Sequence, residues 1–463
     1  MRRYRLGWLL GLLALVLSGD PAAAMSGFYV AQADSRLFNQ TSKVVLTRHD
    51  GKTVITMVSD YQGALEEFAI VVPVPTMLER GQIHVTERAV VDHLDAYTAP
   101  RLIKRFDADP CRSGVAGQVP PDGAIDAVAK DGDALGVTVE AAYAVGEYDV
   151  AILSAEQGDG LAAWLRSSGY RLPVGAEDLL AEYLAAGMRF LFARVDLEEQ
   201  SKLGYSYLRP LQIAFESEDF ALPIRLGTLN AAGPQELVVY LLTRNGRVEA
   251  ANYPTRRIPS NHELPLFVED DPGAFYGAMF EAAVARANGA TVFLEHASDL
   301  FACEPCVARP LAMDQLRELG VFWLLEPPPG VLPQPRESAA PEVFVTRLHL
   351  RYDAEHFPQD LRFRETADRR GFQVRYTLRH PWPGEPRCEA ARDYLQALPQ
   401  RFEREAHNLA RLTRWPIAEI RAKMEANDQS FAPPNLARAE RKWWERLWPD
   451  NRIAAERPAN GRT

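Results

Sequence analysis

The sequence predicts an α+β fold, with mostly antiparallel sheets built from hairpins, helices packed on one side and a long C-terminal helix. Three observations predict it. β-rich runs cluster without strict alternation with helices, tight-turn pairs such as Asp50-Gly51 and Asn245-Gly246 separate such runs, and residues 388–412 carry an extended helical pattern. A chain of 463 residues with 47% hydrophobic and 25% charged residues has the globular usage that a sizeable core needs. Its 52 basic against 62 acidic residues, net −10, disfavour wholesale coating of nucleic acid.

The elements follow in order. Runs 43–47 and 53–57 flank His49-Asp50-Gly51-Lys52 and predict a hairpin. The run Phe68-Ala69-Ile70-Val71-Val72-Pro73-Val74-Pro75 is apolar on both faces, so it predicts a buried strand that stops at Pro73. Val90, Val91, Leu94, Leu102 and Ile103 share a stripe that predicts a helix over 87–104, kinked at Pro100. Residues 112–135 are rich in Gly, Asp and Pro and read as an exposed insertion. Strands are expected at 137–143, 149–153, 189–195, 211–215 and 222–226, and helices near 161–167 and 177–186. The run 237–243 should turn at Asn245-Gly246 into 248–251. Asp271 can cap a helix with Pro272 at its first position, and Asn288-Gly289 should end it before a strand at 291–295. Strands at 343–352 and 371–378 precede the long helix, whose Tyr394, Leu398, Phe402, Leu409 and Leu412 share one face and whose Pro399 predicts a bend.

The N-terminus carries an address. Arg2, Arg3 and Arg5 precede the apolar run 6–17, and Ala22-Ala23-Ala24 offers a cleavage site, the pattern of a secretory signal peptide over 1–24. Domain organisation is then read as an α+β domain over 25–325 containing the insertion 112–135, a Pro-rich linker over 326–342, strands and helices over 343–432 packed on the same domain, and a basic Trp-rich tail over 433–463. In that tail Trp443, Trp444 and Trp448 lie among Arg441, Lys442 and other cations, a composition that suits weak peripheral contact with a membrane; the rival reading packs the tryptophans onto the domain.

Export to an oxidising compartment makes Cys111, Cys303, Cys306 and Cys388 candidates for two disulfides, with three pairings open. Cys303-Glu304-Pro305-Cys306 also has the C-x-x-C spacing of a thiol–disulfide enzyme. Pro310, four residues after Cys306, would break a helix begun at Cys303, which favours a structural role. The histidines do not reproduce a zinc-ligand spacing: neither His349 with His356 nor Glu295 beside His296 makes H-E-x-x-H. No P-loop, G-x-S-x-G or G-x-G-x-x-G is present. No catalytic, cofactor or metal residue is assigned.

Several segments taken together have a familiar order: 68–75 as FAIVVPVP, Asp109-Pro110-Cys111, Tyr148-Asp149-Val150, Cys303-Glu304-Pro305-Cys306, Thr346-Arg347-Leu348-His349-Leu350 and Arg379-His380-Pro381-Trp382. In this spacing the chain resembles the exported bacterial family called domain of unknown function 2330, over about residues 25–430. The resemblance implies a secreted, cysteine-containing domain and brings no activity, substrate or catalytic residues. One departure is that Met25-Ser26-Gly27-Phe28 lacks the cysteine often found near the mature start of such proteins, so no bridge runs from there. The resulting expectation is an exported, periplasmic or extracellular cell-envelope protein, disulfide-stapled and non-enzymatic, that binds or scaffolds an unidentified envelope component. The alternative is a periplasmic thiol–disulfide oxidoreductase using Cys303 and Cys306.

Overall fold

The computed structural model describes residues 28–31, 38–39, 41–58, 61–62, 68–112, 142–153, 158–203, 207–230, 233–300, 309–324 and 342–432. Cα proximity divides the chain into two units drawn from interleaved segments. The first comprises Met1–Arg101, Pro120–Asn261 and Tyr276–Arg375; the second comprises Leu102–Val119, His262–Phe275 and Tyr376–Thr463. The signal-peptide residues, most of the insertion 112–135, Cys303, Cys306, the 326–342 linker apart from Glu342, and the tail with Trp443, Trp444, Trp448, Arg441 and Lys442 lie outside the described residues.

The first unit is a stack of four layers. A nine-stranded, mainly antiparallel sheet has at its centre Phe344–Tyr352, Gln235–Thr243, Thr41–His49 and Lys52–Val58. A five-stranded sheet runs Phe28–Ala31, Phe68–Val74, Arg189–Val195, Tyr148–Leu153 and Ala142–Val145. Alternate residues of the two sheets, among them Leu46, Val239 and Leu348 from one and Ile70, Val150 and Leu191 from the other, meet in a shared core. The opposite face of the five-stranded sheet, with Val71, Phe190 and Phe192, is covered by helices Gly158–Ser167 and Ala176–Ala185. The opposite face of the nine-stranded sheet, with Val45, Val238 and Leu242, is covered by helix Arg88–Thr98 and by Leu316 of helix Met313–Glu318. Each sheet therefore carries helices on one face and the other sheet on the second, which is why its strands are apolar on both sides.

The Asp50-Gly51 hairpin forms as its chemistry requires. Asp50 and Gly51 both take positive φ, 46° and 76°, the pair of left-handed residues that a two-residue turn between twisted strands demands. Four sequence expectations are corrected. The strand at 68 continues through Pro73 to Val74, because its neighbour Phe28–Ala31 reaches only Val71, so Pro73 takes no donor from a described ladder on that side. The helix from 87 ends at Thr98 instead of kinking, since the residue before Pro100 is steered out of helical geometry, and Arg101–Phe106 is a strand. Asn245-Gly246 does not close a hairpin: Gln235–Thr243 is flanked on both edges, by Thr41–His49 in parallel and Phe344–Tyr352 antiparallel, and Val248–Ala250 pairs with Leu361–Glu365. The strand expected at 222–226 is only Ala221–Leu222. The Asp360 carboxylate accepts from the Ile224 and Arg225 amides and starts the 3-10 helix Arg225–Asn230.

The second unit is small. Strands His262–Leu264, Arg375–His380 and Arg101–Phe106 lie side by side, and helices Glu389–Thr413 and Ile417–Ala426 belong to the same unit. The long helix buries Phe402, Ala406, Leu409 and Leu412, and Pro399 sits inside it.

Candidate functional site

Strand alternation places the most unusual chemistry on the helix-covered face of the nine-stranded sheet. In Phe344–Tyr352 the even residues Leu348, Leu350 and Tyr352 join the inter-sheet core, so Arg347, His349 and Arg351 point the other way. Register sets Arg347 opposite Tyr240, His349 opposite Val238 and Arg351 opposite Glu236. On the other side, strand Val292–Asp299 shifts register between Leu294 and His296. Leu294 and Ala297 both enter the core, and the irregularity turns the two residues between them, Glu295 and His296, to the opposite face.

The result is a chain of alternating charge. Lys43 Nζ donates to Asp95 Oδ2 at 2.8 Å, Arg347 Nη1 donates to Asp95 Oδ1 at 2.5 Å, and Arg347 Nε donates to Glu295 Oε2 at 2.6 Å. Glu295 Oε1 meets His349 Nδ1 at 2.7 Å and accepts from the Tyr276 hydroxyl. His349 Nε2 has no hydrogen bond and lies 3.6 Å from Glu236 Oε2, whose carboxylate also accepts from Arg351. Tyr240 donates to Asp95 Oδ1 at 2.6 Å. The Phe280 ring stacks on His349 with centroids 3.7 Å apart.

Burial alone would raise the Glu295 pKa, but the charges of His349 and Arg347 override it and hold the carboxyl at about 2. Glu236 and Asp95 are held at about 2 by the same contest, with His349 and Arg351 acting on the first and Arg347 and Lys43 on the second. Burial works to lower the His349 pKa, and the Glu295 and Glu236 carboxylates raise it. His296 has burial and the Arg347 charge against its cationic form and drops to about 3. The acids of this chain are thus fixed as anions and His349 is favoured as a cation. That arrangement ties four strands and helix Arg88–Thr98 together. It is poorly suited to accepting a proton at neutral pH.

The second unit holds a further polar cluster. Asp107 accepts from Arg379, Tyr394 and Arg401 at 2.5 to 2.7 Å. Burial opposes its ionised form, but those hydrogen bonds win and lower its pKa. Glu405 is 1% exposed, and burial raises its pKa to about 7, Arg401 and Gln429 offsetting only part of the effect. Glu405 Oε2 accepts from Gln429 Nε2, and Gln429 Oε1 accepts from the Leu266 amide, both at 3.0 Å. That amide opens the 3-10 helix Leu266–Glu269, which carries Phe267.

Glu405 supplies a pH prediction. In the unfolded chain its carboxyl ionises near 4.5, whereas the folded one keeps its proton to about 7. The folded state therefore binds the extra proton between those values, and stability falls as pH rises through that window, by about 3 kcal/mol at most. Urea unfolding followed from pH 4.5 to 8 should show this decline, and Glu405→Gln should flatten it. An unchanged slope in the variant would refute the assignment.

Beside Phe267 lies a cavity of about 290 Å³, lined by Phe267, Val268, Asp270, Asp271, Ala274, Phe275, Trp415, Lys423 and Asn427. Each wall has a local cause. Asp271 Oδ1 accepts from the Ala274 amide and caps helix Pro272–Arg286, as its sequence predicts. Arg414 takes a left-handed φ of 64° that ends the long helix, and the next residue is Trp415. Lys423 lies on Ile417–Ala426, its ammonium 5.5 Å from the Phe267 ring centre and 5.7 Å from that of Trp415.

Of the four cysteines, Cys111 and Cys388 form a disulfide across 277 residues, with Cα atoms 5.8 Å apart. Among the described residues no group of three or more His, Cys, Asp or Glu side chains is placed to hold a metal ion. No described helix is long and apolar enough to cross a membrane.

Sequence comparison places these features. The family model described as an uncharacterized protein conserved in bacteria, domain of unknown function 2330, matches residues 20–364. The chain belongs to this family. No curated protein and no solved structure matches it. In this member of the family of domain of unknown function 2330, the charge chain from Lys43 to Arg351 falls wholly inside the matched residues, whereas Trp415, Lys423 and Cys388 lie beyond them.

Motif reading missed the charge chain because it tested histidines only against metal spacings. The usable signal was the period-2 pattern Arg347-Leu348-His349-Leu350-Arg351, three cations on one face of a strand whose other face is apolar, which demands buried carboxylates opposite. The cavity left no comparable signal, since Trp415 and Lys423 meet Phe267 from a segment about 150 residues away in sequence.

Proposed function

We propose that this chain is an exported cell-envelope protein that binds or scaffolds another envelope component, with the cavity of the second unit as its binding site. The observation that carries the reading is the cavity itself, a concave aromatic site with a few charged groups, the usual makeup of a ligand pocket. Export is supported by the Arg-rich apolar N-terminus and by the Cys111–Cys388 bridge, which suits an oxidising compartment. The charge chain supports binding over turnover, since its acids and His349 are committed to one another.

The test combines fractionation with site-specific crosslinking in a bacterial host. The protein should be recovered outside the cytoplasm, cleaved after Ala24, with Cys111 and Cys388 oxidised. A photo-crosslinking amino acid at Phe267 should capture an envelope component that the same group at Val174, which is 99% exposed in the first unit, does not. Cytoplasmic retention with reduced cysteines would overturn export, and steady turnover of an envelope substrate by the purified protein would overturn the non-enzymatic reading. Weak membrane contact through Trp443, Trp444, Trp448, Arg441 and Lys442 belongs to the same proposal. Deleting 433–463 should lower co-sedimentation with anionic liposomes, and equal pelleting would remove the tail from it.

A further inference from the structure

The walls of this cavity already hold a cation. The Lys423 ammonium lies over two aromatic rings, Phe267 and Trp415, and makes no ion pair with a described carboxylate. Aromatic faces attract a positive charge through the ring quadrupole, the more strongly the less water reaches the contact. Asp270 and Asp271 add two carboxylates against the single lysine, so the lining carries net negative charge. Lys423 is itself exposed and sits on one long flexible stem, so its ammonium can swing into solvent without disturbing the helix that carries it.

We propose that the cavity is a site for a small organic ammonium ion, and that Lys423 occupies it as an internal competitor when no ligand is bound. The assignment rests on the binding reading above and adds the chemistry of the ligand. A ligand ammonium takes the place of the Lys423 ammonium between Phe267 and Trp415, its alkyl groups cover Val268 and Phe275, and Asp270 supplies the counter-charge. An anionic ligand would instead recruit Lys423 as its partner, so the two ligand classes give opposite responses to removal of the lysine.

The experiment titrates the intact, disulfide-bonded protein with tetramethylammonium chloride, following the Trp415 indole N–H signal identified by its loss in Trp415→Phe. Sodium chloride at equal ionic strength is the control, and sodium acetate is the anionic probe. Saturable shifts with tetramethylammonium are expected. Lys423→Ala should bind it at least threefold more tightly, Asp270→Asn several-fold more weakly, and Trp415→Ala at least tenfold more weakly. Lys423 and Asp270 are exposed, so their variants test the site without disturbing a core. Weaker or unchanged binding in Lys423→Ala overturns the competitor role. A shift with acetate and none with tetramethylammonium overturns the ammonium assignment and leaves the binding reading standing. No saturable shift with either probe overturns the ammonium assignment as well, and only the crosslink at Phe267 then speaks for binding.

Discussion

Arg347→Met should destabilise the first unit by about 3–5 kcal/mol, the loss expected when one partner is removed from a buried ionic network. Arg347 is 8% exposed and Glu295 is fully buried, so water cannot replace the missing partner. Met retains the apolar stem, and the loss therefore reports charge rather than a cavity. Removing Arg347 leaves Glu295 facing only His349 and Tyr276, and Asp95 facing Lys43 and Tyr240. Glu295→Gln should also destabilise, because it strands Arg347 and His349 beside a neutral amide. The double variant should be more stable than the sum of the two losses predicts, with a coupling of about 1–3 kcal/mol. Urea denaturation of the four proteins measures the cycle. Additive losses, or a single-variant loss under about 1 kcal/mol, would show that the network is a surface-like decoration and not a clamp.

The same network fixes the shape of the pH–stability curve. Glu295, Glu236 and Asp95 have folded pKa values of about 2, below their unfolded ones, so their contribution is present above about 4.5 and disappears as pH falls toward 2. His349 has a raised folded pKa, so its contribution is complete below about 6.5 and is lost as pH rises through the folded value. His296 works the other way: its folded pKa of about 3 lies below the unfolded 6.5, so stability is also lost as pH falls below about 6.5. The first unit should accordingly be most stable near that value, with His349→Gln removing the decline on the alkaline side. Glu405 acts in the second unit over a window that overlaps this one, which is why the Glu405→Gln slope is the cleaner measurement there.

Local signals carried most of the element pattern, and they failed where a neighbour decided the outcome. Period and turn chemistry were enough for strand Arg189–Val195, for the Asp50-Gly51 hairpin and for the long helix, because each depends on residues adjacent in sequence. The partner of Gln235–Thr243 was not legible, since its edges are taken by strands about 190 residues before it and 110 after it. Pro73 misled for the same reason: proline stops a strand only where a neighbour needs its missing donor, and the neighbour on that side, Phe28–Ala31, ends its pairing at Val71. The charge chain was half legible. Three cations on one strand face announce that carboxylates must be near, but which carboxylates depends on the irregularity at Glu295 and on helix Arg88–Thr98 bringing Asp95. Which cysteines pair was open for the same cause.

Breaking the Cys111–Cys388 bridge should have two different effects depending on what else is folded, and Cys111→Ser with Cys388→Ser separates them. The bridge spans 277 residues, and in a fully unfolded chain the loop-closure model assigns a loop of that length about 5–6 kcal/mol. Most of that loop is the first unit. While that unit stays folded, Arg101 and Val374 are held together by the Arg101 amide donating to the Val374 carbonyl at 2.9 Å. The loop that the bridge then closes runs only from 101 to 111 and from 374 to 388. About 24 residues of free chain correspond to roughly 3.4 kcal/mol in the same model. If the second unit opens first, the double Ser variant should lose about 3 kcal/mol, confined to a transition seen by Trp382 and Trp415, while the unfolding of the first unit is unmoved. If the whole chain unfolds in one step, the loss should approach the larger figure and every probe should report it. A loss below about 1 kcal/mol in both transitions would mean that the bridge does not hold the second unit together. Unfolding the oxidised protein and the double variant in urea, read by tryptophan fluorescence and by far-ultraviolet circular dichroism together, decides between the three.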